Sequence, residues 1–89
     1  MKLKYRFIVR NVGGKPVAVA VGTDNEKFNG MVKLNASGET IFRLLNAGSI
    51  TQDEIVKKLA EEYSIDMDTA EKAVSRFVDY LRTNGLLEE

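Results

Sequence analysis

The hydrophobic pattern of this chain changes period once, near residue 35, which confines it to a fold with strands first and helices after. In residues 3–10, Leu3, Tyr5, Phe7 and Val9 fall on one side. Lys4, Arg6 and Arg10 fall on the other, with Ile8 among them. That period of two predicts one half-buried antiparallel strand. Gly13-Gly14 supplies the positive φ that a tight hairpin needs, and Pro16 suits the first position of the next strand, where a missing N–H does least harm. Val17, Val19 and Val21 then alternate with Ala18, Ala20 and Gly22. A polar loop over 23–29 leads to a third short strand over 30–34.

Beyond residue 35 the apolar spacing is helical. Asn35 or Ser37 can cap a first helix that carries Ile41, Leu44 and Leu45, with Gly48 just past its end. Thr51 and Glu54 have the spacing of a capping box, and the helix they start carries Ile55, Val56, Leu59, Ala60 and Tyr63. Asp66 is a cap for a last helix running to about Asn84, with Ala70, Ala73, Val74, Phe77, Val78 and Leu81 as its apolar stripe. Gly85 suits a left-handed stop, after which Leu86 and Leu87 can fold back on the core. The expected architecture is one domain over 1–89, an α+β fold in two layers. It is winged-helix-like, with a three-stranded antiparallel sheet followed by three helices (βββααα).

With 89 residues, the chain has no room for a core plus a deep enclosed active site. It contains no cysteine and no histidine, which excludes disulfides, thiolate nucleophiles, Cys/His zinc sites and imidazole bases. The carboxylate pairs Asp53/Glu54, Glu61/Glu62 and Glu88/Glu89 are sequence neighbours, and neighbours on a helix do not face each other. Gly13-Gly14 is too short for a phosphate loop. No catalytic residues, cofactor or metal are expected. No apolar run approaches the length of a membrane span, and the N-terminal pattern lacks the apolar block of a signal peptide, so the expected location is cytoplasmic.

The net charge is zero but unevenly placed. Residues 1–35 hold seven basic side chains against two acidic, and residues 36–89 hold six against eleven. This pattern fits either two solvated faces or a basic face for an acidic partner. A nucleic-acid-binding winged helix would need a basic last helix, whereas residues 66–82 carry three basic side chains against four acidic. The third strand is more informative. Met31, Val32 and Leu34 are apolar, Lys33 supplies one charge and no proline blocks pairing. Such an edge either accepts a peptide as a fourth strand or is an ordinary edge guarded by Lys33 and the last helix. It can also pair with a second copy, giving a structural adaptor. On the last helix, Tyr80 beside Phe77 is either a groove-lining ring or a rim tyrosine.

The stretch Gly30-Met31-Val32-Lys33-Leu34-Asn35, with Ser37, closely resembles the core motif of coenzyme PQQ biosynthesis protein D, the PqqD-like family. The pattern continues with Ile41, Leu44, Gly48, Thr51, Glu54-Ile55, Leu59 and Tyr63, then Val74, Phe77, Leu81 and Gly85-Leu86-Leu87, so the resemblance spans essentially the whole chain. It implies a non-catalytic recognition element for ribosomally made, modified peptides (RiPPs). Such a domain adds the leader of a precursor peptide as a strand and delivers it to a modifying enzyme, commonly a radical SAM protein. It implies Met31, Val32, Lys33 and Leu34 as the binding edge and Ala73, Arg76, Phe77 and Tyr80 as the helical wall. Ala73 stands where many relatives carry an acidic residue, and the chain has no tryptophan. The peptide is therefore left open between the PQQ precursor and another natural product.

Overall fold

A computed structural model describes residues 1–22 and 30–89. The loop expected over 23–29 lies outside the described residues. The elements run β1 (Lys2–Leu3), β2 (Phe7–Val12), β3 (Lys15–Ala20), β4 (Met31–Lys33), α1 (Ala36–Asn46), α2 (Gln52–Tyr63), α3 (Met67–Thr83) and β5 (Leu87–Glu88). The expected three-stranded sheet is β2-β3-β4, antiparallel throughout. The first helix, α1, packs on one face of this sheet, and α2 and α3 pack on α1 and on each other.

The first expected strand is two strands. The chain bends over 4–6, and β1 leaves the main sheet to pair antiparallel with β5, Leu3 opposite Leu87. The alternation of burial survives the bend: Leu3 and Phe7 are buried, Lys4 and Arg6 exposed. Pairing between the two ends of a chain leaves no local signature, so β5 was not legible in sequence. Arg82 of α3 clamps the end of β5 with two hydrogen bonds to the Glu89 carboxylate, at 2.9 and 2.8 Å.

Gly13 and Gly14 form the two-residue hairpin with φ of 60° and 81°, closed by the pair Val12–Lys15. Pro16 is second in β3 rather than first. Its carbonyl accepts from Leu34 N–H at 3.0 Å, and its ring removes the N–H that would have answered.

Each helix start is fixed by the side chain the sequence offers. Asn35 caps α1, accepting from Gly38 N–H at 2.7 Å, while Ser37 donates to the same oxygen. Thr51 and Glu54 form the full capping box of α2. Asp66 caps α3 through Thr69 N–H at 2.7 Å. Gly85 ends α3 in the left-handed region at φ 69°. At the end of α2 that conformation falls on Ser64, φ 52°, with no glycine to announce it.

The Asp66 carboxyl is held below its ordinary pKa, chiefly by the backbone hydrogen bond from Thr69. A lowered folded-state pKa gives stability that is present above the unfolded value and lost as pH falls through the folded one. The melting temperature should therefore drop as pH falls below about 4. Asp66→Asn keeps a cap but cannot titrate, so its acid-side curve should be flatter in a thermal melt series. Superimposable curves would show that this carboxylate contributes nothing to acid lability.

The core joins Phe7, Ala18, Ala20 and Val32 of the sheet to Ile41, Phe42 and Leu45 of α1, Ile55 and Leu59 of α2, and Val74, Val78 and Leu81 of α3. Two expected core positions differ. On α1 the buried aromatic is Phe42, while Leu44 is only partly buried. Tyr63 is exposed, and its hydroxyl lies 2.8 Å from Thr40 Oγ1 and 3.1 Å from the Ala36 carbonyl, tying α2 to α1.

Candidate functional site

The hydrogen-bond ladder decides what β4 offers. Leu34 N–H points to Pro16 of β3, and in an antiparallel ladder successive residues point to opposite sides. Val32, opposite Ala18, therefore also pairs inward. Met31 and Lys33 direct their N–H and C=O groups to the other side, where no described strand pairs with them. The side chains sort differently. Val32, 1% exposed, and Leu34 are buried in the core, whereas Met31 is 55% exposed and Lys33 is exposed. Of the four expected edge residues, Met31 and Lys33 present both main chain and side chain. Val32 and Leu34 fix the strand to the core.

The four expected wall residues come together. Ala73, Arg76, Phe77 and Tyr80 line one shallow cleft of ≈ 330 Å³ with Asn35, Ser37 and Gly38. They recur every three or four residues, which puts them on one stripe of α3, adjacent to the fully buried stripe of Ala70, Val74, Val78 and Leu81. Ala73 and Phe77 are half-buried and support Tyr80, which is 46% exposed and stacked on Phe77 with ring centroids 6.1 Å apart. This arrangement gives Tyr80 an apolar floor and a wet hydroxyl. The cleft opens just past the C-terminal end of β4, at Asn35. Arg76 and Lys33 make no ion pair with any described residue, so the region carries two uncommitted cations.

Asn35, Ser37 and Gly38 were not read as site residues from sequence. A signal existed: Gly38 sits in the first turn of a helix, where glycine is less favourable than alanine unless packing requires it. A Cβ at Gly38 would stand 2.9 Å from Asn35 Oδ1 and 3.1 Å from Phe77 Cε1. The missing side chain lets the capped end of α1 approach Phe77 and shapes the floor of the cleft.

One member of each acidic pair has a structural partner. Glu54 closes the capping box and Glu62 accepts from Thr40 at 3.0 Å. Among the described residues no helix is long and apolar enough to cross a membrane.

The sequence profile of the family described as coenzyme PQQ synthesis protein D, PqqD, matches residues 17–87. None of the curated proteins matches the chain. A solved structure described as TbiB1 in complex with the TbiA(beta) leader peptide is similar in fold and sequence. The TM-score is 0.72 at 28% identity, over 99% of this chain and 95% of that one.

Proposed function

The chain belongs to the PqqD family, and from that premise we propose that it is a RiPP recognition element. It binds the leader segment of a ribosomally made precursor peptide and presents it to a separate peptide-modifying enzyme. The observation that carries this reading is the meeting of two features at one place: a strand edge with free main-chain groups at Met31 and Lys33, and an aromatic cleft that begins where that strand ends. An extended peptide paired with β4 gains main-chain hydrogen bonds, and a side chain carried past Lys33 drops onto Phe77 and Tyr80. A solved relative with a leader peptide bound supports the same use of the fold.

The domain contributes no chemistry of its own in this reading. It raises the effective concentration of the peptide at the enzyme, which a tethered or docked module does without new reactive groups. A shallow groove suits a domain of 89 residues that cannot enclose its ligand. Neither rival reading has support of this kind. Residues 66–82 remain net acidic against duplex phosphates.

The uncommitted cations Lys33 and Arg76 suit a leader with acidic residues. Lys33→Glu is expected to weaken leader binding about fivefold at moderate salt and to flatten its salt dependence. Isothermal titration with the precursor peptide encoded beside this chain, at two ionic strengths, reads both quantities. An unchanged affinity and salt slope would remove the acidic-leader idea while leaving strand addition intact.

A further inference from the structure

We infer that the outer face of the β2-β3-β4 sheet, opposite the helices, is the surface on which the peptide-modifying enzyme docks, through an apolar patch rimmed by acidic groups on that enzyme. The inference rests on the leader-binding reading and names a second, separate surface. Strand register places Ile8, Val19 and Met31 side by side in one row across all three strands. Ile8 is 42% exposed, and neither it nor Met31 belongs to the core or packs against it. In the next row Val17 lies between Arg10 and Lys33. Val17 is 5% exposed yet stands outside the core cluster, so it is buried from the outer side. It forms the floor of a depression of ≈ 200 Å³ with Val12, Met31 and the rim lysines Lys15 and Lys33.

Among the described residues, the charge on this face has one sign. β2, β3 and β4 contain no acidic residue, and Arg10, Lys15 and Lys33 make no ion pair with any described residue. An apolar centre with an unpaired basic rim is complementary to an apolar patch with an acidic rim. A second copy is disfavoured, because stacking two such faces sets like charges against each other. Sheet-face RNA recognition needs aromatic rings to stack bases, and the outward side chains of these strands are aliphatic or basic. The face is also continuous with the leader site. A strand added at β4 places alternate side chains beside Met31 and Lys33, extending both rows. The enzyme would then touch domain and peptide together.

Ile8 and Arg10 lie on β2, at the far edge from the leader, which makes Ile8→Glu and Arg10→Glu clean tests. The probe is the peptide-modifying enzyme encoded beside this chain, measured by biolayer interferometry. Leader affinity and circular dichroism are measured in parallel on the same variants. Both substitutions are expected to weaken enzyme association by about tenfold or more, the loss typical of a central anchor or a desolvated charge. Leader affinity should stay within about twofold, the result expected of exposed residues outside its site. Unchanged enzyme association in both variants, with leader binding intact, overturns the inference. So does a concentration-dependent dimer of the unaltered chain that Ile8→Glu dissociates. Failure of the unaltered chain to bind leader at all is a different result, which sinks the leader reading itself.

Discussion

Replacing Lys33 with proline is expected to abolish leader binding while the domain stays folded. The Lys33 N–H lies on the free side of β4, so in the unliganded chain its removal costs no ladder hydrogen bond. Edge strands tolerate proline on that side, and the preceding Val32 is already extended, as a residue before proline must be. For an incoming strand the same change is severe. One carbonyl of the leader loses its donor, and the pyrrolidine ring occupies the space that its backbone needs. An unpaired buried carbonyl and a steric clash together amount to about 3 kcal/mol, or more than about 100-fold in affinity. Lys33→Ala separates backbone from charge. It keeps the N–H and should lose only a few-fold. Calorimetric titration of both variants with the leader peptide distinguishes the two contributions. If the proline variant binds like the alanine one, the leader does not pair with this strand.

The largest stability effect is expected at Phe42. Its ring is fully buried and meets Phe7 edge to face, 5.1 Å between centroids at 84°. It thereby joins α1 to the sheet. Truncation to alanine removes that contact and leaves a cavity, at a cost of about 3–5 kcal/mol. A domain of this size has roughly 4–13 kcal/mol in total, from about 0.05–0.15 kcal/mol per residue. Phe42→Ala should therefore lower the melting temperature by roughly 12–40 °C, taking 4–8 °C per kcal/mol. Val12→Ala, at an exposed site, should stay within about 0.5 kcal/mol. A loss below about 1 kcal/mol at Phe42 would mean that α1 is not packed on the sheet as described.

Phe42 also marks where sequence reading reached its limit. The spacing of Ile41, Leu44 and Leu45 located the helix, but α1 is only 11 residues long and several apolar faces fit so short a run. The ring that Phe42 meets across the core, Phe7, is on β2, so local spacing does not reveal the pair. Local rules succeeded where their causes are local. The Asn35, Thr51 and Asp66 caps, the Gly13-Gly14 hairpin and the Gly85 stop each depend on a few adjacent residues, and each was legible. What failed depends on distance along the chain. The bend over 4–6 follows from β1 pairing with β5, more than 80 residues away. The left-handed Ser64 has no glycine to announce it, and it leads into Ile65, which packs back against the core.

The site divides in the same way. The stripe of Ala73, Arg76, Phe77 and Tyr80 has helical spacing and lines one cleft. Periodicity alone could not separate Ala73 and Phe77 from the core stripe, because both belong to its margin. Gly38 and Asn35 enter the cleft only because α1 and α3 cross there, a contact between residues 39 positions apart in the case of Gly38 and Phe77. The opposed roles within β4 also needed the ladder. Register, not composition, makes Met31 and Lys33 the outward pair and turns Val32 and Leu34 into the core.

The most direct test of the central claim is an amide chemical-shift titration of the labelled chain with its neighbouring precursor peptide. Pairing at β4 predicts saturable shifts led by the amides of Met31 and Lys33, which gain hydrogen bonds. Accompanying shifts are predicted at 35–38 and 73–80, with those of β2 and α2 nearly still. Saturable shifts that leave Met31 and Lys33 unmoved, or that centre on α2, would contradict strand addition at this edge.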